Sequence, residues 1–165
     1  MSRFVPCTVL LAVTALLVGA CQAAAAPLPG RPAGFADLVD RDFIAARVEF
    51  QGEPVELVPG PQFGTATLVL RFEQTRMQAT GGCNWYGTEP WQMRAGQLIV
   101  TEEFSGTAIG CDPASQSQDR WLVDFLTSGP MVRIDGDRYL FASDETVVTF
   151  LETDVDELKP DPIRL

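Results

Sequence analysis

Met131-Val-Arg-Ile-Asp-Gly-Asp-Arg-Tyr-Leu-Phe-Ala142 sets an Asp135-Gly136 turn signal between two runs of alternating apolar and polar side chains. Alternation with period two marks a strand with one buried face, and Asp-Gly supplies the positive φ that a tight hairpin turn requires. Reading outward, Thr146 to Leu151 continues the pattern after Asp144-Glu145. Upstream, Phe43 to Phe50, Pro54 to Val58, Thr65 to Glu73, Arg76 to Thr80 and Gln97 to Thr101 are short runs divided by Gly, Pro or polar breaks, the last of them after the turn-like Arg94-Ala-Gly96. Leu68, Leu70 and Phe72 alternate with Thr67, Val69 and Arg71, so one face of that strand is expected to point into a core.

One helix is expected to interrupt the strands. Asp112 suits the N-cap and Pro113 the first helical position, Trp121, Leu122, Phe125 and Leu126 form one apolar face, and Gly129-Pro130 ends the segment. The predicted class is mainly β (α+β): a meandering antiparallel sheet with one covering helix. Repeats and heptads are absent, and an α/β nucleotide-binding plan finds no support.

A chain of 165 residues with 46% hydrophobic content fits one domain with a real core. Its formal charge of −10 argues against nucleic acid and against a basic membrane-binding face, so membrane contact would have to come from covalent lipid. The absence of histidine removes Ser/His/Asp and Cys/His nucleophile activation and His-ligated metals. Asp135 with Asp137, and Asp154 with Asp156, are carboxylate pairs without the twelve-residue loop of a calcium site, and read as turn and tail chemistry. No metal, cofactor or enzymatic activity is expected.

Residues 1–20 combine Arg3, an apolar run from Val9 to Val18 and small residues before Cys21, which is the composition of a secretory signal peptide. Val18-Gly19-Ala20-Cys21 resembles a lipobox, in which the cysteine thiol takes diacylglycerol before cleavage; an ordinary cleavage site at Ala23 to Ala26 is the alternative. Acyl chains contribute about 0.8 kcal/mol per buried methylene, so a multiply acylated Cys21 would anchor stably. Residues 21–37 are Ala/Pro/Gly-rich and read as a tether, 38–152 as the folded domain, and 153–165 as a loose acidic tail. The expected location is outside the cytoplasm, on the cell membrane or outer membrane, with the domain facing periplasm or exterior.

With Cys7 in the leader and Cys21 lipidated, Cys83 and Cys111 remain as a pair in an exported domain, where oxidation is expected. A disulfide closing this loop would stabilise by about 3 to 4 kcal/mol. Redox or metal chemistry is the alternative, though no C-x-x-C motif or histidine is present to support it.

The surrounding residues resemble the META (HslJ-like) domain family. The resemblance lies in Gly81-Gly82-Cys83-Asn84, then Trp85-Tyr86-Gly87, Gln97-Leu-Ile-Val100, Thr107-Ala-Ile-Gly-Cys111, Gln118-Asp-Arg-Trp-Leu-Val-Asp-Phe-Leu126 and Tyr139-Leu-Phe141, covering about Asp42 to Glu152. Phe43 stands where the family often opens with tryptophan, Asp119 where its helix usually has glutamate, and Glu89-Pro-Trp91 where a shorter aromatic strand is common. The resemblance implies a partly open lipocalin-like barrel, and an exported protein or lipoprotein linked to stress, motility or virulence. It implies no catalytic residues.

Read on their own chemistry, Gly81 and Gly82 permit a tight or positive-φ entry into Cys83, and Asn84 can satisfy backbone groups of the following turn. Trp85, Tyr86 and Trp91 can line a shallow recognition site or pack the core. Glu102 and Glu103, adjacent on a strand, would point to opposite faces and so fail as an acid/base pair. The leading expectation is a monomeric, non-catalytic binding or scaffolding module whose partner is an envelope protein or small ligand. The alternatives are a lipid or small-ligand carrier using the barrel interior or mouth, and a protease-inhibitor-like module.

Overall fold

Alternation in the sequence becomes one antiparallel sheet in the computed structural model, which describes residues 27–59 and 68–154. The leader, Cys21, Thr65 to Thr67 and the tail beyond Asp154 lie outside the described residues. The elements are β1 (Arg31–Pro32), α1 (Phe35–Leu38), β2 (Arg41–Phe50), β3 (Glu53–Pro54), β4 (Val69–Phe72), β5 (Met77–Thr80), β6 (Trp85–Thr88), β7 (Trp91–Arg94), β8 (Gln97–Val100), β9 (Ser105–Gly106), α2 (Pro113–Thr127), β10 (Met131–Asp135), β11 (Arg138–Ser143) and β12 (Thr146–Thr153). The sheet runs β7-β8-β10-β11-β12-β2-β4-β5-β6-β9 and curls into a half-barrel covered by α2, with β1 on β10 and β3 on β2.

The expected hairpin forms with its turn one residue later than read. Asp135 pairs with Arg138, which leaves Gly136 and Asp137 as the loop, and Gly136 takes the positive φ (64°). Glycine at the first central position is the type II′ pattern, so Gly136 supplies the turn geometry while Asp135 belongs to the ladder. The β7–β8 hairpin carries positive φ at both Ala95 and Gly96, the type I′ arrangement.

Strand β2 changes face partway along. Arg47 pairs with Thr149 and Ala45 with Phe150, so Ala46 is an extra residue opposite β12. A bulge of this kind shifts the two-residue period by one. Phe43 points inward before it; Val48 points inward after it, sharing its face with Val148.

The inner face is filled. Phe43, Phe72, Phe141 and Phe150 are almost fully buried beside Leu68, Leu70, Met77 and Leu98. Their rings form a chain of contacts, with Phe72 at 4.8 Å from Trp91 and Phe141 at 5.0 Å from Phe150. Helix α2 closes the layer with Leu122, Phe125 and Leu126. It begins as predicted, with Asp112 accepting from the Ala114 and Ser115 amides and Pro113 in the first turn. The strand read through Leu68, Leu70 and Phe72 thus contributes core side chains, and they occupy the interior in which a carrier would have to hold its ligand.

The folded region begins before the predicted boundary at residue 38. Arg31 and Pro32 pair with Ile134 and Arg133, Ala33 is buried, and Phe35 stacks on Trp91 at 4.7 Å. Proline is tolerated on a sheet edge, so a composition that suits a tether also suits this edge strand. Arg31 and Asp37 close the segment with paired hydrogen bonds of 2.8 and 2.7 Å. The Arg31 guanidinium, helped by the Gly34 amide, holds the Asp37 carboxyl down at about 2, against 3.8 for an ordinary aspartate.

A depressed carboxyl contributes stability that is present above its ordinary range and is lost as pH falls through its folded value. The contribution is small because this pair is exposed. An NMR titration should place the Asp37 midpoint near 2, and Arg31→Ala should raise it towards the ordinary value. An unchanged midpoint in the variant would contradict the assigned cause.

Candidate functional site

Gly81-Gly82-Cys83-Asn84 follows β5 and wraps the carboxylate of Asp119, which α2 presents on its inward face. One oxygen accepts from the Gly81 and Cys83 amides at 2.8 and 3.3 Å, and the other from the Asn84 amide at 2.7 Å. Asp119 is completely buried. Three converging amides supply the hydrogen bonds that a buried carboxylate requires, so its acceptor capacity is committed to the fold. Gly81 has no room for a side chain, because a Cβ there would lie 2.8 Å from the Asp119 backbone. Gly82 enters the turn at φ 109°, as its expected role requires.

The motif also secures two neighbouring segments. Asn84 Oδ1 accepts from Thr107 Oγ1 and the Ile109 amide at 2.9 and 2.7 Å, while its Nδ2 donates to Ile109 O at 3.3 Å. Its backbone partners are therefore in the loop before Cys111 and not in the turn that follows it. The Cys83–Cys111 disulfide closes the same loop onto the motif, with the Cα atoms 6.1 Å apart. Gln118, which the sequence reading did not single out, donates through Nε2 to Gly81 O and Val58 O and accepts from the Val58 amide. Gly82, Cys83, Asn84 and Cys111 thus form a structural joint between sheet, helix and loop.

Trp85, Tyr86 and Trp91 are not brought together. Trp91 is buried, donates to Glu73 O at 2.9 Å and packs between Phe35 and Phe72, which makes it a core residue. Trp85 and Tyr86, adjacent in β6, both line a small recess with Arg76 and Thr107, away from Trp91. Tyr86 lies over Gly106, where a Cβ would come within 2.6 Å of its ring. Burial, with Asp119 nearby, pushes the Tyr86 phenol above its usual range.

The recess best suited to an apolar ligand lies at the open end of the half-barrel. After the bulge, Val48 and Phe50 reach this mouth on the inner face, and α2 contributes Ala114, Ser117, Gln118 and Trp121 from the other side. Val55 to Val58 form the third wall, held in place by Gln118, around a volume of about 510 Å³. Phe50 and Val55 are 49% and 44% exposed there, a substantial apolar surface for two neighbouring residues. Trp121 stacks on Phe125 at 5.6 Å and is fixed as part of the wall.

Two further clefts are mainly polar. Arg41, Asp42, Arg71, Glu152 and Asp154 line one, where Arg71 grips Asp42 through bonds of 2.8 and 2.9 Å. Another holds Arg76 with Glu89, Glu102 and Glu103. The latter two follow β8 in a bend, so the opposite-face rule for a strand does not apply to them, and both line the same exposed cleft. Among the described residues no group of three or more His, Cys, Asp and Glu side chains could hold a metal ion.

Residues 36–155 match a family model described as META domain. No curated protein matches the chain. In fold it is similar to an NMR structure of a protein from Burkholderia xenovorans, 20% identical, with a TM-score of 0.60 over 79% of this chain and 93% of that one. A second NMR structure is 19% identical, with a TM-score of 0.50 over 70% of this chain and 92% of that one. At these identities the likeness carries the fold alone.

Proposed function

Because this chain belongs to the META domain family, we propose that it serves as an exported, lipid-anchored binding module of the bacterial cell envelope, with a non-catalytic role in envelope integrity or the stress response. The observation that carries the binding role is the apolar mouth between α2 and β2, walled by Val48, Phe50, Val55 and Trp121. Its volume falls in the range of small-ligand sites, and its walls are fixed by the bulge, by Gln118 and by ring stacking. Cys21 would carry the anchor. An oxidised Cys83–Cys111 pair suits an extracytoplasmic domain.

The filled interior argues against carriage within the barrel and supports the mouth as the binding place. A protease-inhibitor-like module is the second reading, favoured by the exposed run Thr107 to Gly110, which Asn84 and the disulfide hold in shape. Protease assays with the oxidised protein separate it from ligand binding.

The main reading is tested by complementation of a strain lacking the protein, scored by survival under envelope stress. Wild type should restore survival. Phe50→Ser with Trp121→Ser, and separately Cys21→Ser, should not, although each accumulates as folded protein. Full rescue by the mouth variant would overturn the reading. So would loss of rescue from a single Glu102→Gln or Glu103→Gln change in a folded protein, because that pattern belongs to catalysis.

A further inference from the structure

The mouth and the recess beside it differ in charge from the arginine-bearing clefts. Glu56 lines the mouth directly, and a shallower depression sharing Phe50, Trp121 and Thr146 adds Asp124, Asp144 and Glu145. Among the described residues no lysine or arginine lines either recess. Three other clefts, by contrast, each contain an arginine: Arg41 and Arg71 in one, Arg76 in the other two. Of the cations nearby, Arg47 is paired with Glu49 at 2.8 Å, and Arg120 approaches through Ser117 Oγ at 3.1 Å.

We infer that the mouth takes a small amphiphile with an apolar chain and a cationic head, the chain lying against Val48, Phe50, Val55 and Trp121 and the head among Glu56, Asp124, Asp144 and Glu145. This rests on the binding role proposed above and names the ligand class. An anionic head would meet these carboxylates, and Arg120, held beside Ser117, would offset only part of their charge. A second copy of the chain would bring the same acidic rim and its own net charge of −10. The volume of about 510 Å³ matches a small ligand.

The test uses full-chain, exported and oxidised Cys21→Ser protein, titrated below micellar concentration with decyltrimethylammonium, decanoate and decyl maltoside. Calorimetry gives affinities, and the Trp121 indole N–H signal, assigned with Trp121→Phe, reports the site. The cation should saturate at least about tenfold tighter than decanoate, with the gap closing in high salt. Combining Glu56→Gln, Asp124→Asn, Asp144→Asn and Glu145→Gln should bring the two within about twofold and leave decyl maltoside unchanged. Equal affinity for all three probes would overturn the charge assignment while leaving a binding mouth. Decanoate binding tighter than the cation, or the absence of saturable binding by any probe, also overturns the inference, and the binding role is then judged by complementation alone.

Discussion

Asp119→Ala should lower the unfolding free energy by about 3 to 5 kcal/mol, among the largest effects of any single substitution in the domain. The change removes the common acceptor of the Gly81, Cys83 and Asn84 amides and leaves three donors buried beneath α2. An unpaired buried donor costs about 1 to 3 kcal/mol, and water entering the vacated space recovers part of the sum. Gly81→Ala attacks the same joint sterically, because its Cβ would meet the Asp119 backbone at 2.8 Å and both residues are buried. Denaturant unfolding of the oxidised protein measures both changes. Amide exchange at Gly81, Cys83 and Asn84 should accelerate in Asp119→Ala. A loss below about 1 kcal/mol, with those amides still protected, would show that the joint does not depend on the carboxylate.

Removing the disulfide with Cys83→Ala and Cys111→Ala should cost about 3.5 kcal/mol, the chain-entropy value for a separation of 28 residues. The two large effects differ in origin. Asp119 acts within the native state, whereas the cross-link acts mainly by restricting the unfolded chain. They should also differ in what they disturb locally. Without the disulfide, the loop from Thr107 to Gly110 depends on its hydrogen bonds to Asn84 and Trp85, so its amides should exchange faster while those around Asp119 stay protected. Asn84→Ala should then destabilise the disulfide-free protein more than the oxidised one. Equal costs in the two backgrounds would mean that Asn84 and the disulfide do not share the task of holding this loop.

Local signals made much of the fold legible. Alternation around Gly136 set the β10–β11 hairpin, and Asp112-Pro113 with Gly129-Pro130 bounded α2. The family motif then supplied the barrel topology and pointed to the joint at Cys83. What escaped lay where local composition has more than one structural meaning. Arg31-Pro32 reads as a tether, yet the same residues cover an exposed stretch of β10.

Strand β2 shows a signal that was present but unread. Phe43 is apolar at an odd position, while Val48 and Phe50 are apolar at even ones with Arg47 and Glu49 between them, and that change of parity is the bulge at Ala46 written in sequence. The mouth depends on it, because the bulge carries Phe50 to the inner face at the open end.

The joint had a similar trace. Ser115, Gln118 and Asp119 fall on the same helical face as Leu122, Phe125 and Leu126, and polar residues at core spacing must be satisfied by something buried. Periodicity identifies that face; it cannot say that the acceptors meet the amides of a loop thirty-odd residues upstream. The aromatic candidates failed for a related reason. Trp91 sits in a half-buried strand like Trp85, and only the tertiary positions of Phe35 and Phe72 make it a core residue.

The most direct test of the central claim, a lipid-tethered and oxidised META domain, is the intact mass of the mature protein recovered from membranes of an expressing bacterium, taken with and without thiol reduction and alkylation. The predicted result is a chain beginning at Cys21 and carrying its lipid, with Cys83 and Cys111 alkylated only after reduction. A soluble chain cut elsewhere, or Cys83 and Cys111 alkylated without reduction, would contradict it.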